Sequence, residues 1–406
     1  MTTLTHHDRT ALRHGRIAVS LLFLLSGTAI GTWTARIPTI KHGLGLGDGQ
    51  LSLGLLGIAA GAITGMQLVG RLVDRFGSVR VMLPMAFAQG AVLFLPALAS
   101  DLSTLALALF AFGAVHGTLD VAMNANAVEV ERAARRPLMS SFHAVFSIGG
   151  FLGAAAGGLF ATMGLSPAAT FLIVAAAITA MALRASGWAL APQTVPGSKE
   201  TGPEEAGSQE SGPAPAAAAG TRTGGGVLLL GVLAFCCMIG EGAAADWSSV
   251  YLHDALNSSE WLAAAAYAAF STMMTAGRLA GDRLAARLGP VTLVRGCGLL
   301  AAAGLGTALL IGHPIAGVAG FACFGAGLSC IVPQVFSAAG RRDPARAGRA
   351  LARVASLGYA GFLTGPVVIG GAAELLGLPG ALAIPASLAF FVAVAASALR
   401  TAAFTK

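Results

Sequence analysis

Long apolar runs, each about the length of a bilayer crossing, recur along the whole chain, and short segments between them hold most of the charge. Twelve runs predict twelve helical spans, at 17–35, 51–70, 81–99, 104–128, 141–163, 168–190, 227–247, 261–281, 291–311, 315–338, 351–374 and 379–399. A water-soluble fold has no place to hide so many of them. Residues 191–225 differ in kind. They are rich in Pro, Gly, Ala, Ser and Glu without periodicity, which predicts a disordered linker. It divides the chain into residues 1–190 and 226–406, each expected to form a six-helix bundle. The expected fold class is therefore an all-α membrane protein of two pseudo-symmetric halves.

The halves resemble each other in sequence. A shift of 212 places Gly65 on Gly277, Arg75 on Arg287, Gly77 on Gly289 and Val79 on Val291. With a small indel, Trp33 meets Trp247, and Gly150-Phe151-Leu152 meets Gly361-Phe362-Leu363. Parallel repeats about an axis along the membrane normal are one way to build a transport path. Glycines spaced by four (Gly57, Gly61, Gly65 and Gly149, Gly153, Gly157) predict close helix approach, with sliding surfaces as the alternative.

Composition agrees with the pattern: 55% of residues are hydrophobic and 11% charged. The net charge of +7 does not point to nucleic acid, because its placement already has an explanation. With the N-terminus in the cytoplasm, all but Arg36 and Lys41 of the 25 Lys and Arg fall on the cytoplasmic side, Arg132, Arg278, Arg283 and Arg341 among them. This gives a multi-pass protein of the inner (plasma) membrane with both termini cytoplasmic. Five cysteines all lie inside apolar runs without zinc-like spacing, so they read as packing residues. The first run is long and leads into another, unlike a cleavable signal. No phosphate-binding loop is present, so no cofactor and no nucleotide-driven step is expected.

The loop after the second span reads Gly70-Arg71-Leu72-Val73-Asp74-Arg75-Phe76-Gly77, followed by Arg80. This resembles the loop signature of the major facilitator superfamily, and with the spans and linker the resemblance covers essentially the whole chain. It implies that Asp74 latches the cytoplasmic gate against the start of the eleventh span, where a helix N-terminus attracts negative charge. In the second copy Ala286 stands at the Asp position and Asp282 lies one turn earlier, with Arg287 following, which predicts a weaker or rearranged latch. The fourth span contains His116-Gly117-Thr118-Leu119-Asp120-Val121-Ala122-Met123-Asn124-Ala125-Asn126. It is similar to the L-fucose:proton symporter branch, where an acid followed four residues later by Asn lines the cavity. Trp33 to Pro38 and Glu241 to Trp247 resemble uncharacterised inner-membrane proteins of the YbjJ type. The symporter's further acid in its first span has no counterpart between Ile17 and Ala35.

An ionisable group inside a span is costly unless it meets water or a partner, so Asp120 is a candidate for proton or substrate handling. His116, Asp120 and Asn124 share one helix face. The alternative is a permanent Asp120–His116 pair. Glu241, deep in the seventh span, is the second candidate, with helix packing as its alternative. Asn126, Gln67, Gln334, Tyr267 and Tyr359 are candidate cavity residues, each alternatively a helix–helix contact, as is Gln89. Arg36 and Asp246, at equivalent ends of the first and seventh spans, form a candidate periplasmic gate pair. Arg184 and Arg295 are expected to snorkel, and Trp33, Trp188, Trp247 and Trp261 to anchor at interfaces.

These residues predict a secondary transporter, not an enzyme, moving a small organic solute by rocking one half against the other. Proton-coupled, sugar-type symport in a monomer is favoured, although few aromatics fall mid-membrane to stack on a sugar. Efflux by proton antiport and a non-transporting sensor on a transporter fold are the alternatives.

Overall fold

The structure is a computed structural model that describes residues 6–189, 220–342 and 344–400. Its helices are α1 (His6–Gly43), α2 (Asp48–Phe76), α3 (Ser78–Phe94), α4 (Leu102–Ala134), α5 (Met139–Thr162) and α6 (Pro167–Ser186), then α7 (Gly220–Val250), α8 (Glu260–Leu288), α9 (Pro290–Ile311), α10 (Pro314–Leu328), α11 (Ile331–Arg342) and α12 (Ala347–Ala395). The tenth span is α10 plus α11, interrupted by a turn at Ser329 and Cys330. The eleventh and twelfth are the two arms of α12, which turns back at Gly377 (φ 70°, ψ 164°). Twelve crossings result. All but α8 have a long, strongly apolar window, and α8 carries Arg278 within its apolar stretch. Most of the expected linker, 191–219, lies outside the described residues, and 220–225 belong to α7 instead of the linker.

Local chemistry sets the helix starts. Asp101 caps α4 by accepting from the Thr104 amide at 2.8 Å, a bond that holds its carboxyl below the usual carboxylate range. Ser166 caps α6, and Pro167, Pro290 and Pro314 occupy first turns, where a missing N–H costs nothing. The repeat is visible in the backbone: Gly77 and Gly289, paired by the sequence shift, adopt φ/ψ of 83°/155° and 75°/160°, conformations that favour glycine.

The glycine stripes are packing seams within one half. A Cβ on Gly57, Gly61 or Gly65 would lie within 2.5 Å of an α4 carbonyl, and one on Gly149 or Gly153 within 2.3 Å of an α1 carbonyl. In the second half Gly361 meets the Phe235 carbonyl of α7, as the repeat demands. Large apolar side chains such as Leu310, Leu375 and Val367 cover the outside, where lipid would solvate them. Trp33 departs from its expected interface role: it is buried against Phe171, with ring centroids 6.4 Å apart. Trp188 stacks on His14 at 5.0 Å, and the guanidinium of the exposed Arg184 lies over its ring. The Trp261 side chain lies outside the described residues.

Candidate functional site

One cavity of about 120 Å³ is built by both halves. Asp120, Phe23, His143 and Phe146 line it from the first, and Glu241, Arg278, Phe336 and Tyr359 from the second. Asp120 projects from α4, where the Asn124 side chain donates to its carbonyl (2.8 Å) and to its Oδ1 (3.2 Å). The i, i+4 spacing read from the sequence thus produces a contact. His116 is not its partner. It stacks on Phe112 at 5.9 Å and is buried with Nδ1 unbonded, so no ion pair with Asp120 is formed.

Glu241 does have a cation, which the sequence reading missed. Arg278 Nη2 lies 3.6 Å from Glu241 Oε2, and Nη1 donates to Ser147 Oγ of α5 at 2.7 Å. Arg278 lies deeper than the cytoplasmic surface on which its run of arginines predicts it. Ten residues separate it from the end of α8 at Leu288, a rise of about 15 Å, and it is 9% exposed. The available signal was its spacing from the Arg283 and Arg287 that share its run.

The expected shortage of aromatics also fails. Phe23, Phe146, Phe336, His143 and Tyr359 wall the cavity. His143 bridges the halves, stacking on Phe336 at 5.9 Å and meeting Phe23 edge-on at 5.4 Å, while its Nε2 has no partner. A histidine inside the fifth apolar run was the sequence signal for it. Four more expected cavity residues lie elsewhere. Asn126 donates to Ser78 Oγ and to Glu129, both at 3.0 Å, tying α4 to α3. Tyr267 is exposed and stacks on Phe270. Gln334 is buried in α11 with Nε2 unbonded and does not line the cavity. Gln67 instead donates to Ser356 Oγ at 3.1 Å, joining the second and eleventh spans. Gln89 is buried in α3.

A second set of polar contacts closes the end of the bundle that carries the Asp74 loop. Asp74 accepts from the Gly348 amide (2.9 Å) and from Arg349 Nε (2.7 Å) at the start of α12. The approach needs glycine on both sides: a Cβ on Gly70 would lie 3.0 Å from Arg349 Cα, and one on Gly348 2.8 Å from Asp74 Oδ1. Arg75 lies over the Phe76 ring, and Arg80 and Arg287 are exposed.

At the pseudo-symmetric position the contact is fuller than the sequence predicts. Asp282 accepts from the amides of Ser140 (2.9 Å) and Ser141 (3.0 Å) and from the Ser141 hydroxyl. Glu131 accepts from the amides of Leu138 (2.9 Å) and Met139 (3.1 Å). All four orphan N–H groups of the α5 N-terminus are therefore held by two carboxylates, one from each half. Glu131 also accepts from Ser337 and from Arg341 (2.8 Å) of α11, and Arg132 donates to the Gly340 carbonyl. Sequence reading missed Glu131, Ser141 and Ser337, because nothing local marks which polar residues face another half.

At the opposite end, Arg36 and Asp246 are not paired. Arg36 is 2% exposed and donates to the Leu165 carbonyl of its own half at 2.6 Å, while Asp246 is exposed. The polar links described between the halves lie at the cavity or between it and the Asp74 end.

Comparison with known proteins agrees with this architecture. The Major Facilitator Superfamily signature is matched over residues 19–347. The chain is 34% identical over 388 residues to an uncharacterised MFS-type transporter of Yersinia pestis, covering 95% of each. It is 36% identical over 380 residues to an uncharacterised transporter of Sinorhizobium fredii, covering 93% of this chain and 96% of that one. The membrane protein MosC of Rhizobium meliloti is 31% identical over 378 residues, covering 93% and 88%. Among solved structures, FucP in the outward conformation superposes with a TM-score of 0.75 at 15% identity, covering 95% of this chain and 98% of that one. The human organic anion transporter MFSD10 gives 0.71, also at 15% identity, covering 95% and 99%. A multi-pass chain of two six-span halves, closed around a charged cavity and matched in sequence over most of its length, belongs to the major facilitator superfamily of secondary transporters.

Proposed function

We infer that the protein is a proton-coupled symporter that takes up a small hydroxylated, sugar-type solute across the inner membrane, working as a monomer and powered by the proton gradient. The observation that carries this reading is the cavity itself, where Asp120 and the Glu241–Arg278 pair from opposite halves share one small space. An ionisable group kept at membrane depth costs free energy that only a task with ions or polar solutes recovers. Five aromatic or imidazole rings around it supply the faces on which a sugar-like body stacks. In this reading the Asp74 end is cytoplasmic, which places most of the exposed arginines inside. The chain then adopts a state closed to the cytoplasm, and rocking of the halves about the cavity alternates access.

The test is reconstitution with a pH-sensitive dye in the lumen. Adding an accepted sugar-type solute outside should acidify the lumen, and Asp120→Asn should abolish this while leaving solute exchange at equilibrium. Solute uptake without proton movement, or undiminished uphill uptake by Asp120→Asn, contradicts the reading.

A further inference from the structure

Arg278 is more than the counter-ion of Glu241. It is nine-tenths buried and lines the cavity, yet Nη2 stands 3.6 Å from the carboxylate, beyond hydrogen-bond reach, and Nε has no acceptor. A guanidinium that serves only to neutralise an acid takes it in a close two-pronged contact. Here one prong holds Ser147 of the other half and the rest of the fork is unfilled. The tenth span adds a second feature of the same sign. It breaks at Ser329 and Cys330, so α11 begins beside the cavity with Val332 on its wall, and a helix N-terminus favours negative charge. A cationic solute would meet Arg278 at close range in so small a space. A neutral one offers the fork only uncharged acceptors, without the charge assistance that a carboxylate brings.

We propose that the transported solute carries a carboxylate, and that Arg278 binds it in place of Glu241 as Glu241 takes up a proton. This rests on the transport reading above and narrows its solute to a hydroxylated acid. The proton and the anion enter together: the proton that Asp120 exchanges in the transport reading rests on Glu241 while the anion is bound, so the exchange adds no net charge to the cavity. Arg278 becomes the residue that sets specificity, and Glu241 the internal anion that keeps it paired when the site is empty. The titratable or charged groups facing Glu241 are Arg278 on α8, Asp120 on α4, His143 on α5 and Tyr359 on α12, with Cys237 one turn back on α7.

The experiment uses the purified full chain and a paired panel: short aldonates from glycerate to gluconate, each against the alditol of the same carbon number. Thermal shift finds binders, and calorimetry measures Kd across pH. Acids alone should raise Tm, and their affinity should increase as pH falls, by at most tenfold per pH unit for one proton taken up. Arg278→Gln should lose the response. Should that variant fail to fold, Glu241→Gln carries the test, since removal of the internal competitor should tighten acid binding at least tenfold at neutral pH and flatten the pH profile. Alditols that stabilise as well as the acids overturn the proposal, as does a panel in which no acid binds. So does weaker acid binding by Glu241→Gln, or a pH dependence that survives in Glu241→Gln and vanishes in Asp120→Asn or His143→Gln. The transport reading fails separately: acids that bind without moving protons leave the anion site standing, and alditols that move with protons do the reverse.

Discussion

The two N-termini at which the halves meet are related by the repeat but built differently. At the start of α12, one carboxylate, Asp74, takes one amide and the side chain of Arg349, which is half exposed. At the start of α5, a buried carboxylate, Glu131, and a half-buried one, Asp282, take every free amide, and further bonds run on to Ser337 and Arg341. The intact loop motif marks the sparser contact, and the degenerate copy marks the denser one. Asp282 lies one turn earlier than the motif position, and that turn keeps it on the same helix face, so the helix start it caps is still within reach. A motif conserves a job, and geometry allows the job to move by one turn.

Three substitutions test this asymmetry by labelling a cysteine placed at Ala355, on the cavity wall, from the Asp74 end. The largest effect belongs to Glu131→Ala. It strips two amides and the Ser337 hydroxyl of their acceptor and takes the carboxylate from the partly buried Arg341, so the closed state should lose about 3 kcal/mol and labelling should rise more than a hundredfold. A change under tenfold would show that the α5 cluster does not hold the halves. Asp282→Asn comes next, at about 2 kcal/mol, because an amide oxygen still accepts but the charge assistance is gone. Asp74→Asn should cost about 1 kcal/mol, since its Arg349 partner is screened by solvent. Equal labelling rates in these two variants would erase the asymmetry.

The smallest effect concerns the opposite end, where the sequence suggests an Arg36–Asp246 gate that is unpaired in this state. If the pair forms when that end closes, Arg36→Ala and Asp246→Ala should each favour the state seen here by at most about 1 kcal/mol, with the double variant adding little. Additive effects on accessibility from the Arg36 end would dissolve the pair. Because Arg36 also holds the Leu165 carbonyl, Arg36→Ala should lower Tm while Asp246→Ala leaves it unchanged.

Legibility followed the range of the interaction. Asp120 with Asn124 rests on spacing within one helix, which the chain displays directly, and the contact of Asp74 with the start of α12 is what the resemblance of its loop implies. Glu241 was visible as an ionisable residue in an apolar run, but its partner was not, because Arg278 sits in the next span and nothing local shows which helix face it opposes. Asn126 looked equivalent to Asn124 in the sequence, yet two residues turn a helix by about 200°, which points it at Ser78 instead of the cavity.

The amino-acid sequence determined by itself the spans, the repeat, the seams where glycine replaces a side chain, and the residues costly enough at membrane depth to need a task. These follow from bilayer thickness and from steric rules that act within a few residues. Only the tertiary structure decided which charges meet: Arg278 with Glu241 and Ser147, Glu131 and Asp282 together on one helix start, and a ring of aromatic and imidazole side chains contributed by four different spans. Such contacts depend on which faces of separate helices end up opposed. Packing of the whole bundle fixes that, and no local pattern records it.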